Sequence, residues 1–149
     1  MKKKKVLFIG LFSLLVFTSC SINDSPNPDP RIRVPHWHLI KTTGGIAGVD
    51  HEFPLETVIW TFDDANSKLM VVNKNTDDTK QDAFDAGTYP FSIKKVDDKT
   101  FLIINEDEFG EFEIDDKKRL IINQNNLSEG TGADGFVYTF HRTIEIITP

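Results

Sequence analysis

Apolar and polar residues alternate along this chain with a period of two, in short runs broken by turn formers. No stretch of ten residues carries the 3.6-residue period of an amphipathic helix. "TYPFSIKKV" puts Tyr89, Phe91 and Ile93 on one face and Ser92 and Lys94 on the other. "GEFEI" sets Phe112 and Ile114 opposite Glu111 and Glu113, and "FVYTFHR" gathers Phe136, Tyr138 and Phe140. "HWHLIKTT", closed by Gly44-Gly45, and "TVIWTF" read as further strands. The pattern predicts about eight strands between residues 36 and 142, with one long irregular stretch, "NTDDTKQDAFDAG", at residues 75–87.

A phrase recurs within this pattern. "VDDKTFLIIN" (96–105) returns as "IDDKKRLIIN" (114–123), and "FDDANSKLMVVN" (62–73) is a looser copy. Each copy joins an apolar residue, Asp-Asp, a polar stretch and a β-branched run. Asp side chains bond nearby backbone amides, so Asp-Asp marks a turn and the run after it a strand. The repeat is therefore a hairpin used three times, not a solenoid period. Sequential hairpins must hide their edges, and closure into an eight-stranded up-and-down barrel does so completely. A two-sheet sandwich is the competing arrangement.

The first twenty residues have a different character. Lys2 to Lys5 precede an apolar run from Val6 to Phe17, too short to span a bilayer as a helix, which needs about 20 residues. "FTSC" then resembles the lipobox of bacterial lipoproteins. That resemblance implies cleavage after residue 19, acylation of Cys20, and residence in the bacterial cell envelope, with the outer membrane as the expected location. Several acyl chains on one residue make a lasting anchor where a single chain holds only marginally. Cys20 is the only cysteine, so the folded part has no disulfide to rely on. Residues 20–34, with Pro26, Pro28 and Pro30 among Asn, Asp and Ser, predict an extended tether. At about 3.1 Å per residue it reaches on the order of 40 Å. The expected organisation is signal peptide 1–19, lipidated Cys and tether 20–34, and barrel 35–149.

Charge narrows the partners. The 149-residue chain carries a formal net charge of −6, and loss of the four signal-peptide lysines makes it −10. That balance argues against nucleic acid and against anionic headgroups as partners. The membrane is expected as a partner only through the lipid on Cys20.

Trp37-x-Leu39 on the first strand, a Gly-Gly turn, "VIWTF", "GTYPFSI" and "DGFVYTFHR" together resemble the small lipocalin-like lipoproteins of Bacteroidetes-type bacteria. In that superfamily a Trp early in the first strand is covered by an Arg late in the last. Trp37 and Arg142 match those two positions and are expected to form a structural pair. Arg142 shares the period-2 face of Phe136, Tyr138 and Phe140, so it points inward. A guanidinium there needs a partner, and an indole face offers one.

Constellations for chemistry are weak. His36 and His38 share one face, but if Trp37 points inward both are expected to be exposed. Asp77, Asp78, Asp82 and Asp85 crowd one loop without calcium-loop spacing. No G-x-S-x-G is present, and no helix follows the glycines of "SEGTGADG" to hold a phosphate. Neither an enzymatic activity nor a cofactor or metal is expected. The interior is the remaining candidate. Trp60, Phe62, Tyr89, Phe91, Tyr138 and Phe140 fall on inward faces and are the candidate residues for a small apolar ligand, with the Tyr89 and Tyr138 hydroxyls as polar partners. The same rings could instead fill the barrel solidly, leaving an interaction module that binds another envelope or host component.

Overall fold

The computed structural model describes residues 31–148, which form nine antiparallel strands and no helix. They are β1 (Ile32–Gly44), β2 (Val49–Glu52), β3 (Val58–Asp63), β4 (Lys68–Asn73), β5 (Gly87–Val96), β6 (Lys99–Ile104), β7 (Asp107–Ile114), β8 (Leu120–Asn123) and β9 (Phe136–Ile147). Strands β3 to β9 follow one another in space as in sequence, and β1 lies between β3 and β9. The ladder thus closes on itself as an up-and-down barrel of eight strands. β2 is the extra strand: it pairs with Lys41 to Gly44 of β1, in line with β3 along the same edge. Closure satisfies the backbone without leaving a sheet edge around the ring.

Two strands are longer than the alternation implied. β1 begins at Ile32, so residues 32–34, read from sequence as tether, are strand. β9 continues to Ile147 rather than ending near residue 142. Their mutual ladder runs from Ile32↔Ile147 to Gly44↔Phe136, with a bulge at Ile40. β8 stops against β9 at Leu120↔Phe140, and β3 stops against β1 at Trp37↔Trp60. Beyond those points β1 and β9 project from the barrel as a two-stranded ribbon.

The repeated phrase has a spatial meaning. Its three turns, β3–β4, β5–β6 and β7–β8, lie at one end of the barrel, the same end from which the ribbon projects. In two copies the first Asp builds the turn. Asp63 accepts from the Asn66 backbone N–H at 3.2 Å and from its amide at 2.7 Å. Asp115 accepts from the backbone N–H groups of Lys117 and Arg119 and from the Arg119 guanidinium. These bonds to the charged form hold both carboxyls below the usual Asp range. In the third, shorter copy Asp97 itself adopts the left-handed conformation, φ 53°. Asx chemistry thus produced one recipe in two geometries.

Candidate binding cavity

The barrel interior is filled in two tiers. Toward the end carrying the long β4–β5 loop (74–86), the tier is solid. Trp60 is fully buried, with ring centroids of Phe140 at 4.8 Å, Phe84 at 5.7 Å and Phe109 at 6.0 Å. Phe84 reaches in from the loop and packs on Tyr89 at 4.9 Å, while Phe109 stacks on Tyr138 at 5.6 Å. Tilted and offset rings at these spacings are the favoured aromatic geometries. Burial, with the Asp82 carboxylate adding to it, pushes the Tyr138 phenol up to about 12.

Toward the ribbon end the second tier opens into a cavity of about 600 Å³. Its aromatic wall is Trp37, Phe62, Phe91 and Phe112. Phe62 meets Phe91 edge-on at 5.0 Å and Phe112 at 6.0 Å, and these three rings divide the cavity from the solid tier. Val34, Met70 and Ile93 add aliphatic surface. Polar groups are few: Thr61 and Thr100 in the wall, with Arg33, Asp63 and Asp64 at the lip.

The opening has a backbone cause. The β1–β3 ladder has only two steps, Trp37↔Trp60 and His38↔Ile59. Continued in register it would set residue 35 opposite Phe62, and residue 35 is a proline with no N–H for the bond. β1 instead follows β9 outward. Thr61 and Met70, on the parity opposite to Phe62 and Leu69, also border the cavity. It therefore opens through the wall beside β1 as well as at the end.

Trp37 and Arg142 are direct cross-strand partners, with the guanidinium carbon 5.9 Å from the indole centroid. The pair stands at the border of the two tiers and keeps the half-buried guanidinium over an aromatic face.

Six residues were singled out for a ligand from strand parity, and the structure separates them. Phe62 and Phe91 line the cavity. Trp60, Phe140 and Tyr138 belong to the solid tier, and Tyr89 packs beside Phe84. The Tyr89 hydroxyl donates to the Asp85 carbonyl at 3.0 Å, so neither tyrosine presents its hydroxyl to this cavity. Phe112 and Ile93 share the parity that marked Phe91, whereas Arg33 and Val34 fell in the segment read as tether and Pro35 at the first position of the barrel. The signal that could have recovered them is the apolar alternation of "IRVPHW" with "RTIEII", which face each other in the ribbon.

The histidines require a correction. His38 was expected at the surface opposite Trp37, but only 3% of it is exposed. The segment between β2 and β3 returns across the outside of β1 and brings Glu56 to 3.4 Å from His38 Nδ1. On its other side Nε2 bonds Thr143 Oγ1 at 2.9 Å. Burial pulls the His38 pKa below 6.5, against the opposing pull of Glu56. His36 bonds Thr61 Oγ1 at 2.7 Å and Glu145 at 2.9 Å, bridging outside the β1–β3 gap. Among the described residues no three His, Cys, Asp or Glu side chains gather as a metal-binding group. In the acidic loop Asp82 is held by the amides of Asn73 and Asn75 at 2.8 and 2.9 Å, as a structural acceptor. Cys20 and the lipobox-like "FTSC" lie outside the described residues.

Compared with protein-family models, with curated proteins and with solved structures, the chain matches none significantly.

Proposed function

We propose that this protein is a lipid-anchored, lipocalin-like barrel of the bacterial envelope that holds a small apolar molecule in the cavity between Trp37, Phe62, Phe91 and Phe112. The cavity is the observation that carries the reading. At about 600 Å³ it lies within the roughly 300–1,000 Å³ range of small-molecule sites, and like them it has an apolar wall with few polar groups. A solid-cored interaction module would have extended the packed tier through the whole barrel. Recognition works by burial: an apolar ligand leaves water to lie against four rings, with Thr100 as a hydroxyl partner in the wall, the Thr61 hydroxyl being held by His36. Anchoring through Cys20 is supported by the "FTSC" sequence alone.

The reading is tested by titrating the protein with an environment-sensitive naphthylamine fluorophore. Binding with enhanced emission is expected, weakened about tenfold, roughly 1.4 kcal/mol, by Ile93→Asp at the cavity wall. Absence of binding to the wild type sinks it. Labelled palmitate should enter the wild type and not Cys20→Ala.

A further inference from the structure

Three independent features converge on the cavity end of the barrel. The first is apolar exposure. Of the ten large hydrophobic residues exposed among the described residues, six lie here: Ile32, Ile93, Ile114, Ile144, Ile146 and Ile147. Four of these continue the inward-facing parity of their strands beyond the ring. Ile93 follows Phe91, Ile114 follows Phe112, and Ile144 and Ile146 follow Arg142. They present branched aliphatics to solvent at the cavity end, Ile93 lining the cavity itself, with Ile114 46% and Ile146 53% exposed.

The second is charge. The segments at this end (31–36, 63–68, 94–99, 114–120 and 142–147, with 127–130 lying against 96–99) hold ten Lys and Arg against eight Asp and Glu. At the opposite end, segments 45–52, 74–86 and 105–108 hold nine acids against two lysines. The acidity of the chain is thus concentrated away from the cavity. The third is chain path. β1 starts at Ile32 at the cavity end, only twelve residues after Cys20, so a lipid on that cysteine would tether the barrel by this end.

We propose that the cavity end docks on the surface of a lipid bilayer, and that the ligand is an acyl chain drawn from that bilayer. The exposed isoleucines enter the interface, the basic balance faces the headgroups, and the acidic end points away. The mouth then opens onto the acyl layer rather than onto water. The acyl-chain half of this proposal depends on the cavity reading above; the docking half does not.

The test compares the full chain, tethered on phosphatidylcholine vesicles containing phosphatidylglycerol, with the double variant Ile144→Asp, Ile146→Asp on the same vesicles. Both keep Cys20, so the comparison separates docking from anchoring. Backbone hydrogen exchange in segments 92–99 and 113–119, distant in sequence from the substitutions, should be several-fold slower in the wild type than in the variant. Exchange in 58–60 and 121–123 should match in both, showing an intact barrel, and Ile46→Asp at the opposite end should behave as wild type. Equal exchange at the cavity end in wild type and double variant, or slowing confined to 45–52 and 74–86, overturns the docking. The fluorophore titration separates the two halves. Binding retained by the double variant while protection is lost supports the cavity and the docking face as distinct features. Protection without fluorophore binding in the wild type overturns the acyl-chain half and leaves docking supported.

Discussion

His38 has the sequence environment of a surface residue and the physical environment of a core one. Its ring is neutral by preference in the folded protein because burial penalises the charge. In the unfolded chain the ring binds a proton more readily, so stability is fully present above pH 6.5 and declines as pH falls below it. Denaturation midpoints should therefore drop between pH 7.5 and 5.5 in the wild type, and drop less in His38→Gln. An unchanged pH dependence in that variant would show that another group carries it. Arg142 makes a second case. Its charge faces the Trp37 indole rather than a carboxylate, so Arg142→Gln should cost about 0.5–2 kcal/mol in chemical denaturation. The Trp37–Arg142 pairing was implied by the family resemblance, and strand parity turned Arg142 inward. The burial of His38 was not readable, because the cover comes from Glu56 and Thr143, outside the period of its own strand.

At the scale of elements, alternation located the eight strands of the ring but not the short β2, and the Asp-Asp pairs located three of the turns. Local chemistry decides both: parity sets the buried face, and an Asp carboxylate satisfies the amides of a tight turn. Strand ends were less readable, since β1 and β9 lengthen only because each has the other as partner. The β6–β7 bulge is another outcome of pairing. The register shifts between Leu102 and Ile103, opposite Gly110, whose φ is 148°. A Cβ on Gly110 would lie 2.6 Å from the Asn123 carbonyl oxygen of β8. Gly110→Ala should thus destabilise the barrel by about 1–3 kcal/mol, because backbone, not a flexible side chain, would have to move. A stability within error of wild type would show that β8 yields easily. Pro35 is the counterpart at the cavity. Pro35→Val restores an N–H where the β1–β3 ladder ends, and should narrow the side opening and weaken fluorophore binding.

At the scale of the molecule, net charge averages over two unlike ends. The chain as a whole is acidic, at a formal −6, and closure of the barrel sorts that charge, leaving one end slightly basic and the other strongly acidic. The aromatic residues are sorted too, into a solid tier around Trp60 and an open tier around Phe62. The two tiers should respond differently to truncation. Trp60→Ala removes a fully buried ring from the solid tier and should cost about 3–5 kcal/mol, measured by denaturant unfolding. Ile93→Asp, half-exposed at the cavity, should leave that midpoint nearly unchanged while weakening ligand binding. Equal losses of stability would show the cavity wall to be core.

The sequence alone determined what depends on neighbours along the chain: which stretches are strands, which face of each is apolar, and where Asp-Asp turns the backbone. Local sterics and hydrogen bonding act within a few residues, so those features are written locally. Tertiary structure alone decided how far β1 and β9 run, that His38 is buried, and which rings pack solid and which border a cavity. Each of these depends on two distant segments meeting, and on the missing N–H at Pro35 that keeps two strands from meeting further.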